Sequence, residues 1–107
     1  MALIVDSFDP KRVDEDWVVT FDFVQRLGSS ETISTATYTA TTFSGSDASP
    51  GDIISGSATV TGSKVTQLII NGLDGVTYQL QCEITTSNSQ RLDGIGLLSV
   101  TNTIRRR

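Results

Sequence analysis

Hydrophobic and polar residues alternate along most of the chain, which is the pattern of half-buried β-strands. Short clusters of Gly, Ser, Asn, Asp and Pro interrupt the alternation and mark turns. Together they predict seven strands, with Val100 or Ile104 as alternative ends of the last. The predicted ranges are 3–8, 17–23, 32–42, 54–61, 64–70, 76–86 and 91–100.

Two of these strands show which side chains face the core. In 76–86 the apolar positions are Val76, Tyr78, Leu80, Cys82 and Ile84; in 17–23 they are Trp17, Val19, Phe21 and Phe23. The alternation is weaker in the next two strands. It predicts that Ala36, Tyr38 and Ala40 of the third strand, and Ile54, Ala58 and Val60 of the fourth, face the core. One face of each strand therefore packs on a core and the other meets solvent.

The residues between and within the strands also predict local turns and irregularities. Residues 44–52 (SGSDASPGD) form a loop, and Gly62-Ser63 is a two-residue hairpin connection. Residues 24–28 predict a single helical turn, with Leu27 closing the end of the fold and Gly28 in the left-handed conformation. Gly94 and Gly96, inside the last strand, indicate a bulge or bend.

Seven short strands with a turn every 8–12 residues predict an all-β fold, an immunoglobulin-like or fibronectin-III-like antiparallel β-sandwich in one domain over 1–107. The stretch GLDGVTY strengthens this prediction. Its Leu73, Gly75 and Tyr78 resemble a tyrosine corner, in which the phenol bonds back to the backbone of the preceding turn. The alternative is an ordinary core tyrosine.

Composition and charge narrow the classes of function. Ser and Thr make up 28 of 107 residues, and the formal net charge is −4. Because phosphate contacts need a basic surface, a nucleic-acid partner is not expected. No apolar run is long enough to span a membrane. The one basic run, Arg105 to Arg107, either extends into solvent or docks on an acidic neighbour.

Catalytic and metal chemistry have few residues available. The chain has no histidine, so triads and cysteine–histidine pairs are impossible, and no catalytic, metal or cofactor site is predicted. The single Cys82 is expected to be a buried, inert thiol. A free cysteine without a secretory leader indicates synthesis and folding in a cytoplasm.

Carboxylates cluster before the second strand. Asp14, Glu15 and Asp16 are consecutive, with Asp6 and Asp9 shortly before them. The spacing of a calcium-binding loop is absent. A solvated acidic surface is the simplest interpretation, and residues 1–15 form either part of the core or an N-terminal arm.

Residues 16–41, DWVVTFDFVQRLGSSETISTATYTAT, resemble the opening of a family of small bacteriophage fibre–tail adaptor proteins. The matching features are Asp22-Phe23 at the strand end, then Leu27, then Gly28 to Ile33 as Gly-x-x-(Asp/Glu)-x-Ile, then a Ser/Thr-rich strand. The stretch GLDGVTYQLQCEITTSNSQRLDG is similar to the family's second half. The resemblance covers about residues 8–100, and departs where Asn71-Gly72-Leu73 replaces a pair of glycines.

The resemblance implies an immunoglobulin-like virion protein without enzymatic activity, synthesised in the bacterial host, that connects the tail or neck to tail fibres. Its partners would be other virion proteins, with copies of the chain in a symmetric homo-oligomer. Asp22 would organise the turn after its strand. The acidic arm and the basic tail (101–107) would contact partners through Asp9, Pro10, Asp14, Glu15, Asp16, Arg105, Arg106 and Arg107.

Two other functions fit the same residues. A capsid decoration protein would also be a small β-sandwich. A carbohydrate- or surface-binding module would stack exposed aromatic rings on its ligand, and Trp17 and Phe43 are the aromatic residues placed to be exposed.

Overall fold

The computed structural model describes residues 3–8 and 10–102, which form strands and one short 3₁₀ helix (Pro50–Ile53), with no α-helix among them. The strands are β1 (Leu3–Ser7), β2 (Lys11–Arg12), β3 (Trp17–Asp22), β4 (Ile33–Ser44), β5 (Ile54–Thr61), β6 (Lys64–Ile69), β7 (Thr77–Thr86) and β8 (Arg91–Thr101). All seven predicted strands are present, within two residues of their predicted ends. The sequence pattern missed only the two-residue β2, and Ile104 lies outside the described residues.

The strands form two sheets that pack in a sandwich-like arrangement. One sheet has the order β1–β8–β7–β4, with β2 also beside β8, and the other has the order β3–β6–β5. The described part of the chain contains no helix that is long and apolar enough to cross a membrane. The all-β prediction is confirmed.

The prediction of a purely antiparallel fold was wrong at one edge. Both β1 and β2 run parallel to β8, with Leu3 beside Asp93 and Lys11 beside Val100. Neither β1 nor β2 is joined to β8 by a hairpin, which would require antiparallel pairing. The chain instead continues from β2 to β3 in the other sheet. The remaining strand pairs are antiparallel, as predicted.

Aromatic rings fill the centre of the sandwich against two glycines. Phe21 is fully buried, and its ring lies 5.6 Å from that of Phe8 and 5.7 Å from that of Tyr38, between ring centres. A Cβ on Gly94 would lie 2.8 Å from Phe21, and one on Gly96 would lie 2.5 Å from Phe8. Of the bulge or bend predicted at these glycines, the bulge is absent, because the β7–β8 register is regular through both. Their function is to admit the rings.

Two local predictions also need correction. Val60 was expected inside but is 39% exposed, because β5 is an edge strand whose register shifts between Ser55 and Thr59. The helical turn after β3 is confirmed by the bond from Leu27 N–H to Phe23 O, at 3.2 Å. Gly28, however, lacks a positive φ, and its N–H donates to the Glu31 carboxylate instead.

Candidate partner interface

Six carboxylates lie at one end of the sandwich, which we call the acidic end. Hydrogen bonds join its loops: Tyr78 bonds to Asp47, Ile70 to Ile53, and Asn102 to Asp74. The acidic residues come from three segments: the β2–β3 connection, the β4–β5 connection and the β6–β7 connection. The six are Asp14, Glu15, Asp16, Asp47, Asp52 and Asp74.

A buried lysine lies beneath part of this cluster. The Lys11 side chain has no solvent exposure, and its Nζ donates to the carbonyl oxygens of Asn71, at 2.7 Å, and Arg12, at 2.9 Å. Burial lowers the pKa of Lys11, and the negative charges of Asp16, Glu15 and Asp14 oppose that shift. The three carboxylates therefore serve partly as counter-charges for a cation inside the protein.

Glu15 is largely committed to holding the β2–β3 connection. Its Oε1 accepts hydrogen bonds from Arg12 N, at 2.9 Å, and Trp17 Nε1, at 3.4 Å, while its own N–H donates to Arg12 O. Asp14, in contrast, is largely exposed and bridges to Arg12 Nε at 3.4 Å, and Asp16 is also exposed. Of the three carboxylates in this connection, Asp14 and Asp16 are thus the ones accessible to a partner.

The predicted interface residues are only partly brought together. Pro10 is exposed and immediately precedes β2, and Asp14, Glu15 and Asp16 follow that strand. Asp9 and Arg105 to Arg107 lie outside the described residues. Lys11 was missed by sequence reasoning; its place as the only lysine beside the acidic run was the available signal.

The predicted tyrosine-corner hydrogen bond is confirmed. Tyr78 is fully buried, and its Oη accepts a bond from Leu73 N, at 2.9 Å, and donates one to Asp47 Oδ2, at 2.6 Å. Burial and the neighbouring Asp47 raise the pKa of Tyr78 to about 12. The same bond lowers the pKa of Asp47. The phenol thereby ties two loops of the acidic end together, which an ordinary core tyrosine would not do.

Apolar side chains are exposed beside the carboxylates. Phe43 is 60% exposed and Leu73 is 49% exposed. Phe43 lies where the β4–β7 register shifts between Thr42 and Ser44, and such bulges redirect a side chain. The expectation that Phe43 is exposed is confirmed, whereas Trp17 is half-buried and contacts the core.

The opposite end of the sandwich, which we call the pocket end, is formed by residues 23–32, 62–63 and 87–90. It holds a cavity of about 250 Å³ between the first two of these segments, with Val24 and Leu27 as its apolar lining. Glu31 lines it too, and accepts bonds from Gly28 N and Thr86 Oγ1, which lower the pKa of Glu31.

Asp22 organises the turn at this end, as the sequence suggested. Its Oδ1 accepts hydrogen bonds from Ser63 Oγ, at 2.7 Å, and from Val24 N, at 3.0 Å. The Ser63 bond, followed by the Val24 bond, lowers the pKa of Asp22. The carboxylate thus joins the β5–β6 hairpin to the turn after β3 and fixes one wall of the cavity.

No arrangement for metal binding is present in residues 3–8 and 10–102, where no three His, Cys, Asp or Glu side chains converge. Cys82 is a free, fully buried thiol, as expected. Burial and then Asp93 raise the pKa of Cys82 to about 12, so the reactive thiolate is disfavoured.

The geometry alone does not identify the class of protein, but a comparison with protein families does. A family model described as "Podophage GP4 fiber-tail adaptor protein gp77" matches residues 11–95. The matched region runs from β2 into β8 and includes both the acidic cluster and the cavity. No curated protein matches the sequence.

Proposed function

The chain belongs to the podophage GP4 fiber-tail adaptor protein family, and we propose that it connects the tail or neck of its virion to the tail fibres. The family is a structural phage adaptor rather than an enzyme, and it belongs to the virion tail. Its role implies binding to other virion proteins. The match over residues 11–95 is the observation that supports this proposal.

We further propose that the sandwich is of immunoglobulin-like build. The arrangement in two sheets and the Tyr78 corner support this assignment. A rigid sandwich suits an adaptor because its two ends are held at a constant separation by the strands. Each end can then present a different surface to a different virion component.

The acidic end is the proposed contact with a virion partner. Asp14 and Asp16 are exposed there, Pro10 precedes them, and Glu15 holds their connection in place. Asp9, in the segment between β1 and β2, and the arginines 105–107 of the basic tail belong to the same proposed interface. Copies arranged in a symmetric homo-oligomer would multiply weak contacts of this kind.

Removing the protein from the virion tests the adaptor role. Phage carrying a nonsense mutation in its gene should form DNA-filled heads with tails but without fibres, because the connecting component is absent. Electron microscopy and mass spectrometry of purified particles would measure this. Adding purified protein should restore fibre attachment. Particles that keep their fibres would contradict the proposal, and a protein spread over the capsid would indicate decoration instead.

The acidic contact has a separate test. The double substitution D14N/D16N should reduce incorporation into particles by at least about tenfold, since it removes two exposed charges while keeping side-chain size. Quantitative mass spectrometry of virions produced by complementation measures the ratio. The matched control is D52N/D74N, which removes two carboxylates of the same end outside the β2–β3 connection. Equal incorporation of both variants and the wild type would refute the role of Asp14 and Asp16.

A further inference from the structure

The cavity at the pocket end has the size and lining of a side-chain receptor. Its volume of about 250 Å³ lies below the roughly 300–1,000 Å³ usual for small-molecule sites. Val24 is 59% exposed at its wall although it is apolar. The carboxylates near it, Asp22 and Glu31, already accept two hydrogen bonds each. An apolar side chain is the occupant that such a lining favours.

The acidic end presents a side chain of that kind. Phe43 projects from the bulge at the end of β4, and Leu73 is exposed in the turn that Tyr78 binds. An exposed aromatic ring on a constrained backbone loses little conformational freedom on binding, and aromatic residues are common anchors of protein interfaces. Phe43 therefore has the properties of an anchor, and it belongs to the same chain as the cavity.

Within one copy the two features cannot meet. Phe43 and the cavity residue Thr32 lie at opposite ends of β4, eleven residues apart in sequence. At about 3.3 Å per residue, that separation is roughly 36 Å. The occupant, if it is Phe43, must come from a second copy.

The charges of the two ends favour the same pairing. At the acidic end, six carboxylates face two described cations, the buried Lys11 and Arg12, which bridges to Asp14. At the pocket end, the carboxylates of Asp22 and Glu31 are accompanied by two cations: Lys64, which is exposed directly after the cavity residue Ser63, and Arg26, which directly precedes Leu27. The pocket end therefore lacks the acidic excess, and an acidic end meets less repulsion there than at a second acidic end.

We infer that copies of this chain associate head to tail, with Phe43 of one copy in the Val24–Leu27 cavity of the next. Such a contact is heterologous, so it continues from copy to copy and closes into a ring when the rotation between copies allows. This interface deepens the homo-oligomer of the proposed function. It concerns the isolated protein, however, and can fail while the adaptor role stands.

Two complementary substitutions test the interface in the full-length protein. F43S removes the anchor, and V24D places a charge in the cavity wall; both residues are exposed in one copy, so each variant should fold. Wild-type protein should show a mass that rises with concentration in sedimentation and light scattering, and each variant should weaken association by at least about tenfold.

An equimolar mixture of the two variants is the decisive measurement. F43S retains an intact cavity and V24D retains an intact Phe43, so each pair can form one interface. The mixture should give dimers and nothing larger. A mixture that stays monomeric, or a wild type that stays monomeric at every concentration, would overturn the inference.

The matched control is V18S, which makes the same apolar-to-polar change on β3 at a residue that is 55% exposed and belongs to neither end. V18S should associate as the wild type does. Equal loss in V18S would show that general surface hydrophobicity drives association. If V24D blocked fibre attachment in virions while self-association was unchanged, the cavity would bind another virion protein, and the inference would be wrong.

Discussion

Replacing Phe21 with alanine is expected to lower the free energy of unfolding by about 3–5 kcal/mol. The ring is fully buried and packs against the rings of Phe8, Phe23 and Tyr38. Domains of this size are stabilised by only about 5–15 kcal/mol in total. The F21A variant should therefore lose a substantial part of its stability, from about a fifth to all of it, as measured by urea unfolding at pH 7.

The cost is large because the surroundings cannot collapse onto the vacated space. On the facing sheet the ring lies against Gly94 and Gly96, which have no side chains to move. V18A is the control on the same strand, because Val18 faces outward; it should change stability by less than about 0.5 kcal/mol. A comparable loss in both variants would contradict the assignment of Phe21 to the centre of the core.

A double-mutant cycle checks the contact itself. The G94A substitution places a Cβ 2.8 Å from Phe21 Cδ1 and should cost about 1–3 kcal/mol by overpacking. In the F21A background the same substitution should cost much less, since the ring is gone. Additive effects would show that Gly94 is required for another reason.

Raising the pH from 8 to 11 is expected to destabilise the fold, with Cys82 as the largest contributor. Burial raises the pKa of Cys82 to about 12 and that of Tyr78 to about 12, and it also raises the pKa of Tyr38. The unfolded chain therefore loses these protons at lower pH than the folded one. The stabilisation is complete below pH 9, the ordinary value of the thiol, and is lost as the pH rises towards 12.

The size of the effect follows from the linkage relation. Two pH units above the unfolded pKa of the thiol correspond to about 3 kcal/mol at pH 11 from Cys82 alone. Lys11 acts in the opposite direction, because its lowered pKa makes the folded state gain stability as the pH approaches 10.5. Urea unfolding at pH 7, 9, 10 and 11 measures the sum of these contributions.

C82A isolates the thiol from the other groups. It should be less stable than the wild type at pH 7, because a buried atom is lost, yet its stability should fall less steeply above pH 9. Alkylation with iodoacetamide provides a second readout, since the folded thiol should react far more slowly than the unfolded one. Parallel pH profiles in the two proteins would mean that Cys82 ionises as easily when folded as when unfolded.

The sequence identified many residues of the candidate interface, but it did not predict how they are arranged in space. The acidic run and the exposable Phe43 could be identified because carboxylate runs and loop-edge aromatics are local features. The buried position of Lys11 could not, since it depends on the carbonyl of Asn71, 60 residues away. For the same reason the cavity was invisible, although Leu27 was correctly expected at an end of the fold.

The sequence by itself determined the all-β class, the seven main strands and the inward faces of β3 and β7, because a period of two and the turn residues are properties of neighbouring positions. Only the tertiary structure decided that β1 and β2 lie parallel to β8 and that Gly94 and Gly96 make room for Phe8 and Phe21. It also decided that Phe43 and the cavity lie at opposite ends. Strand pairing and ring packing join residues far apart in the chain, and local alternation carries no information about which distant strands will meet.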